Sequence, residues 1–463
     1  MNQPPVLGVC PIGKFVFSHE DAIRQKQAIL QKLDDWDVVY CTIDEVLADG
    51  LVRDQKHVDA VVAHFKARDI DALFVPHCNF GTEGAVGMIA KKLAVPVMLW
   101  GPKDDAPGED GSRLRDSLCG MFASSKVLRK LGVAFTYVEN CGIEDNQFKE
   151  GLLRFVRTAA VVKAMRSMRI GQIGVRIDFF WTTIDNESEL LERFGIEVVP
   201  IDMVEFLRAV QARAQQSYRS YVKELSTMSW LAPGDLKEVN LVNSLALRDE
   251  LLATAQDREC DALSIKSFNS LQETLGPGNG LGDALAQEHI PIASESDLHG
   301  AISSIIVQAA SRNNDPVFFP EYTIRHPHNE NAVLLWHASA PPSLRHPDTD
   351  KVAILPPWIL KGLPPSSLQF RLKDGPITTC RFDGDRGDYF IGLGEGRTVP
   401  GPATREIYAW MEVDNWPRWE RTIMEGPYIH HCSCVYDHCA DVLQEACKYI
   451  PGLTAVRLDR VGE

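Results

Sequence analysis

The chain has 463 residues, 45% hydrophobic and 24% charged, with 48 Lys and Arg against 63 Asp and Glu for a formal net charge of −15. This length implies two or three domains, and the composition is that of a chain able to bury full cores, which excludes a disordered protein and a small disulfide scaffold. So acidic a surface, with no local basic patch, argues against nucleic acid and anionic lipid as partners.

No apolar run approaches the roughly 20 residues that span a bilayer. The opening Met1-Asn2-Gln3-Pro4-Pro5 lacks the basic and apolar regions of a secretory signal. Eleven cysteines, an odd number spread from Cys10 to Cys447, point to free thiols in a reducing compartment. The expected location is cytoplasmic.

From residue 6 onward, short β-rich runs alternate with helical stretches. Strands are predicted at Val6 to Cys10, Val38 to Cys41, Leu73 to Val75, Val97 to Trp100 and Phe135 to Val138, and helices near 19–35, 53–67, 81–93, 112–131 and 147–166. That alternation means βαβ units and a parallel sheet covered on both faces. A second such unit is predicted from strands Ile170 to Val175, Glu197 to Ile201, Ala262 to Ile265 and Pro291 to Ser294, with long helical stretches at 203–224 and 235–256 and a helix from Gly300 to Ala310.

After about residue 312 proline becomes dense and the periodicity turns β-like. Val333 to Trp336, Leu368 to Leu372, Ile377 to Phe382, Tyr389 to Leu393 and Ile407 to Met411 read as strands, closed by a helix near 437–449. The expected fold class is therefore α/β: two doubly wound, Rossmann-like parallel-sheet domains (1–167 and 168–312) followed by a mostly antiparallel β domain (313–463).

Several motifs compete with plain structural readings. Gly392-x-Gly394-x-Gly396 and Gly278-x-Gly280-x-Gly282 lack the strand–turn–helix setting of a dinucleotide site, so both read as turns. The run His430-His431-Cys432-Ser433-Cys434 through His438-Cys439 invites a zinc reading, but no second ligand pair stands elsewhere in the chain. If 429–435 is a strand, His431, Ser433 and Val435 face one way and His430, Cys432 and Cys434 the other.

The segment Ser294-Glu295-Ser296-Asp297 places two acids at the C-terminal end of a parallel strand, the edge at which open α/β sheets bind ligands. Ser296 or Asp297 as an ordinary helix N-cap is the competing view. Glu273, downstream of Lys266, brings another acid to the same edge. As a loop carboxylate, its commonest fate is plain surface exposure. His337 follows a strand and on its own reads as a core histidine.

Taken together, four stretches resemble the L-fucose isomerase and L-arabinose isomerase superfamily in its shorter, fucose-isomerase-like form. They are Phe80-Gly81-Thr82-Glu83-Gly84 leading to Pro96 through Gly101, Gly111 through Gly120, Ile265-Lys266 to Glu295 through Gly300, and Asn331 through Leu335-Trp336-His337 to Pro341, with His430-His431 similar to a late histidine motif. The resemblance implies a metal-dependent aldose–ketose isomerase acting on a small sugar by an enediol route, with Mn²⁺ or another divalent cation such as Mg²⁺. It also implies a homo-oligomer with sites near subunit contacts.

Carried over residue by residue, the resemblance assigns Glu273, Asp297 and His431 as metal ligands. Glu273 and Asp297 are 24 residues apart, as in the family, and both also serve as the acid/base pair; His431 precedes His438 by seven residues. His337, His430 and Lys266 are the expected substrate contacts. Where many short members carry His-Cys-Gly, this chain has His337-Ala338-Ser339, and where many carry Trp and Pro after Lys-Cys, it has Ser267-Phe268-Asn269-Ser270. These departures lie near the expected sugar pocket. They keep open a same-fold enzyme acting on a modified anionic sugar, for instance a sulfonated one, with Lys14, Arg325 or Arg381 as candidate anion partners. A non-catalytic sugar-binding protein is the further alternative.

Overall fold

The structure is a computed structural model that describes residues 3–234, 236–276, 280–312, 315–359 and 365–460. It falls into two compact units: Met1–Lys163 with Glu445–Ile450, and Ala164–Gln444 with Pro451–Glu463. Gly278 of the second glycine cluster lies outside the described residues.

The first unit holds a five-stranded parallel sheet in the order Tyr40–Cys41, Leu7–Val9, Ala72–Pro76, Val97–Trp100, Thr136–Tyr137. Alternate residues of strand Ala72–Pro76 feed different cores: Leu73 and Val75 pack with Val61, Phe65 and Ile89, whereas Ala72 and Phe74 pack with Ile29, Trp100 and Phe148. A strand buried on both faces reads as a continuous apolar run, and Ala-Leu-Phe-Val-Pro is one. Helix His19–Asp35 starts where the Ser18 hydroxyl accepts the Asp21 amide, with Glu20 and Asp21 in its first turn, two features that favour a helix N-terminus.

The second unit contains two sheets. One is parallel, in the order Ile292–Ser294, Ala262–Ile265, Arg169–Ile173, Glu197–Ile201. The chain reverses its direction of strand addition between Arg169–Ile173 and Ala262–Ile265, and that switch point opens a crevice at the strands' C-terminal ends. The helical stretch expected at 203–224 is two helices, Met203–Gln216 and Tyr218–Leu225, parted at Ser217, whose backbone leaves helical angles.

The other sheet has ten strands, with the main path Ser433–Val435, Gly375–Asp385, Asp388–Val399, Ile407–Glu412, Ser367–Arg371, Val352–Leu355, Leu231–Ala232. Strand Ala332–His337 adds to Ile407–Glu412 and carries Glu321–Arg325 outside it. Most pairings are antiparallel; Leu453–Arg457 joins Asp388–Val399 in parallel. The long hairpin 375–399 closes through Arg386 and Gly387, both at positive φ (52° and 87°), the backbone that a two-residue hairpin turn requires. Together the parallel and mixed sheets reproduce the α/β architecture expected, with β structure dominating after residue 312.

Candidate active site

The site begins at the turn that ends strand Ile292–Ser294. Glu295 and Ser296 both have positive φ (65° and 57°), and the Asp297 amide donates to the Ser294 carbonyl at 3.3 Å, the pattern of a tight primed turn. Two successive non-glycine residues in this region cost on the order of 1–3 kcal/mol each, so the surroundings must hold them. They do so through Glu295 N–H to Ser267 Oγ at 3.1 Å, Ser296 N–H to the Ile265 carbonyl at 3.1 Å and Ser296 Oγ–H to the Val175 carbonyl at 3.2 Å. The turn sends the carboxylates of Glu295 and Asp297 to different tasks.

Glu295 joins Glu321, His430 and His431 in a group whose candidate ligand atoms all lie within 4.8 Å of one another. His431 Nε2 is 3.1 Å from Glu295 Oε2 and 3.9 Å from Glu321 Oε1. The Nε2 and Oε2 atoms are buried and not aligned for a hydrogen bond with each other or with any other described group. Buried polar atoms without a hydrogen bond are uncommon in folded proteins; these two face each other at ion-pair distance, where a cation could take both. Two carboxylates with imidazole form a set that fits a hard divalent cation.

Asp297 faces the other way. Its oxygens accept the Gly300 amide at 2.8 Å, the Arg381 guanidinium at 2.5 and 3.2 Å, and His431 Nδ1 at 2.9 Å. Arg381 in turn donates to Asp383 at 2.9 Å, and Asp383 meets His299 Nδ1 at 3.0 Å. Burial alone would raise the Asp297 carboxyl, but the Arg381 guanidinium and the His431 ring hold it far below the usual carboxylate range. Burial would lower His431, and the hydrogen bond to Asp297 with the nearby Glu295 carboxylate reverses this, lifting it to about 9. Glu321 is pushed up to about 7, first by burial and then by the charge of Glu295.

Beside this group lies a cavity of about 100 Å³. Glu295, Glu321, His337, Gln272, Ser267 and Glu406 give it polar lining, and Phe268, Trp336 and Ile359 give it apolar walls. His337 Nε2 and Gln272 Oε1 are buried without partners. Burial and the neighbouring histidines hold His337 down to about 3, so it is neutral.

Of the residues expected from sequence, the structure brings His337, His430, His431 and Asp297 into one region. Asp297, however, is taken up by Arg381, Gly300 and His431 and stands outside the four-residue group. Glu273 is not brought in. Helix Ser270–Leu275 buries Leu271 and Leu275, which turns Glu273 to solvent and leaves the neighbouring Gln272 on the cavity. Lys266 is half-buried at the end of strand Ala262–Ile265, its amide bonded to Ile173, and Ser267 rather than Lys266 reaches the lining.

Both histidines of the pair reach the group because the chain bends at His430 and the regular strand starts only at Ser433, so alternation of faces does not apply to them. Beyond them, Cys432 and Cys434 turn into the apolar core, their sulfurs 3.8 Å apart, and no cysteine belongs to the group. No disulfide joins the eleven cysteines among the described residues. Sequence reasoning passed over Glu321, which sits on the short edge strand Glu321–Arg325. Only the Pro-rich run before it and its position opposite Trp336 distinguish it from an ordinary surface acid.

The carboxylate–histidine group thus stands where the end of the doubly wound sheet meets the mixed sheet, and the class of protein follows from its relatives. Residues 8–166 match the profile of the fucose/sulfoquinovose isomerase N-terminal domain, and residues 360–452 match that of the L-fucose isomerase C-terminal domain. The chain belongs to the fucose-isomerase-like superfamily of aldose–ketose isomerases. It is similar to proteins named sulfoquinovose isomerase from Priestia aryabhattai and Priestia megaterium, each 25% identical over 462 residues, covering 96% of this chain and 97% of the relative. One from Alkalicoccus urumqiensis is 23% identical over 72% of this chain and 73% of its own. Among the described residues, no helix is long and apolar enough to cross a membrane.

Proposed function

We propose that this chain is a metal-assisted aldose–ketose isomerase acting on a hexose-sized sugar, with sulfoquinovose the first candidate substrate. The observation that carries the reading is the convergence of Glu295, Glu321, His430 and His431 beside a cavity lined by unpartnered polar atoms. The substrate comes from the relatives that match this chain along nearly its whole length.

Glu295, Glu321 and His431 would hold Mn²⁺ or Mg²⁺, with His430 as a fourth ligand, in place of the Glu273, Asp297 and His431 expected from sequence. Such a cation supplies positive charge that draws electrons from the sugar's carbonyl and adjacent hydroxyl, making the intervening C–H more acidic. Glu321, the carboxylate facing Glu295 across the group, would take that proton and return it to the former carbonyl carbon. The hydroxyl proton passes to the neighbouring oxygen, so one C–H bond breaks, one forms, and no electrons are gained or lost overall. Asp297 fixes the His431 ring through Nδ1, leaving Nε2 towards the group. His337, neutral and with Nε2 bare, is placed to hydrogen-bond a sugar hydroxyl, while Trp336 and Phe268 keep water from the apolar face of the ring.

The test is a panel of aldoses and ketoses, sulfoquinovose and neutral hexoses and pentoses among them, assayed with EDTA and after restoring Mn²⁺. Interconversion that EDTA abolishes and Mn²⁺ restores is expected. No EDTA-sensitive interconversion of any sugar overturns the reading. One observation favours a second reading, a neutral substrate: the charged side chains among the described lining residues are three carboxylates, Glu295, Glu321 and Glu406. Relative kcat/KM on sulfoquinovose and neutral aldoses separates the two. The family resemblance also implies a homo-oligomer, which light scattering on the purified protein checks.

A further inference from the structure

Glu406 is a charged residue in an unusual position. It is 2% exposed, lines the cavity and has φ of +70° without being glycine. Its backbone is pinned at the start of strand Ile407–Glu412, where its amide donates to Gln369 Oε1 at 2.8 Å. Its carboxylate accepts the Trp358 amide at a long 3.3 Å, and Ser367 lines the same cavity. A carboxylate has about four acceptor positions, so this one long hydrogen bond leaves capacity in hand. Among the described residues no Lys, Arg or His forms an ion pair with it.

A buried carboxylate of this kind is costly unless hydrogen-bonded, and a strained backbone at such a residue points to a function. The cavity it faces is shared with Glu295 and Glu321, close enough for its charge to act on Glu321, yet Glu406 stands outside the four-residue group. Ligands that satisfy spare carboxylate acceptors without bringing a charge of their own are hydroxyl groups.

We infer that Glu406 is a substrate-positioning residue that accepts a sugar hydroxyl away from the reacting carbons. It thereby sets which carbons lie at Glu295, Glu321 and His431. The inference rests on the isomerase reading in that the sugar fills this cavity. Trp358 and Ile359, each more than half exposed, belong to the segment whose amide Glu406 holds, so the same side chain ties the cavity lining to the sugar it admits.

The test is a cycle between enzyme and ligand changes. Wild-type protein, Glu406→Gln and Glu406→Ala are titrated by calorimetry with D-glucitol, an unreactive open-chain hexose analogue, and with its singly deoxygenated forms. Turnover of the substrate found in the sugar panel is followed in parallel. A hydrogen bond from a hydroxyl to a carboxylate predicts that one deoxy form binds wild type about 10- to 100-fold more weakly. That form should lose less than about threefold relative to glucitol in Glu406→Ala, with Glu406→Gln between the two because its amide oxygen still accepts. KM should rise by a similar factor, with kcat changed much less. Equal losses for every deoxy form in wild type and Glu406→Ala overturn the inference, as does wild type that binds no hexitol. So does a uniform loss in Glu406→Ala that tracks a lower melting temperature. Wild type that binds glucitol in the predicted pattern yet isomerises no sugar supports the role of Glu406 and overturns the isomerase reading.

Discussion

Asp297 Oδ2 and His431 Nδ1 lie 2.9 Å apart, both side chains 1% exposed, with Arg381 bonded to the same carboxylate from behind. Carboxylate–imidazole pairs of this kind fix a ring's tautomer and orientation, and losing the carboxylate typically costs 10- to 100-fold in metal affinity. Asp297→Asn is therefore expected to weaken Mn²⁺ binding by roughly that factor, read by titration calorimetry, while the circular dichroism stays native. Asp297→Ala leaves Arg381 buried without its main partner and should destabilise by about 3–5 kcal/mol. A variant of either kind that binds Mn²⁺ as wild type does would remove Asp297 from the site.

The choice between Glu273 and Glu295 has a direct readout. Glu273 is exposed on a helix whose apolar residues face inward, whereas Glu295 Oε2 is buried 3.1 Å from His431 Nε2. Glu273→Ala should change Mn²⁺ affinity and turnover by no more than about twofold, in the range of surface substitutions. Glu295→Ala should abolish Mn²⁺ binding in the same titration. Equal losses from both would restore the ligand that sequence spacing selected.

Much of the architecture was legible because both parallel sheets are built from short apolar runs separated by helices of ordinary length. Strands Val97–Trp100, Glu197–Ile201 and Ala262–Ile265 fall where their β-branched and apolar residues place them. The site was legible only in part. The pair Glu295 and Asp297 reads on paper as two acids at one sheet edge, and which of them turns inward depends on the left-handed turn at Glu295–Ser296. Sequence gives no such signal, since neither residue is Gly or Asn, the residues that ordinarily announce positive φ. Glu273 was favoured by spacing, and in the structure the packing of Leu271 and Leu275 leaves it exposed. Glu321 was hidden because an edge strand of five residues, Glu-Tyr-Thr-Ile-Arg, carries weak periodicity.

The group's protonation makes cation binding depend on pH in a stated direction. Without a cation His431 keeps its proton up to about 9 and Glu321 up to about 7, and a metal displaces protons from the ligands it takes. Mn²⁺ affinity should therefore rise with pH, releasing about two protons below neutrality and about one between the two titrations. The metal-free protein behaves oppositely. A histidine raised in the folded state gives stability that is fully present below its unfolded pKa of about 6.5 and is lost as pH rises through about 9. Raised Glu321 adds a loss of the same sign, completed through about 7. Melting curves in EDTA should shift down between about pH 6.5 and 9, and added Mn²⁺ should recover most at the upper end. A melting temperature that is flat with pH in EDTA would contradict the pairing of His431 with Asp297 and Glu295.

Gly300 lies in the first turn of helix Leu298–Ala310, where it donates its amide to Asp297. A Cβ there would stand 2.4 Å from Phe319 Cε2 and 2.8 Å from Asp297 Oδ2. Phe319 has little room to yield: it is 3% exposed, and its ring centroid lies 5.1 Å from that of His431 and 5.7 Å from that of His337. Helix propensity alone would favour alanine by about 1 kcal/mol. Overpacking of a filled core typically costs about 1–3 kcal/mol, so after the propensity gain Gly300→Ala is expected to be destabilising by up to about 2 kcal/mol in denaturant titrations. Because the displaced ring touches both histidines, Mn²⁺ affinity should fall in the same variant. Phe319→Leu in the Gly300→Ala background opens the space and should recover much of both losses, whereas Phe319→Leu alone leaves a gap and is destabilising. Gly300→Ala with unchanged stability and metal affinity would show that the turn, the ring and the histidine are not packed as one unit.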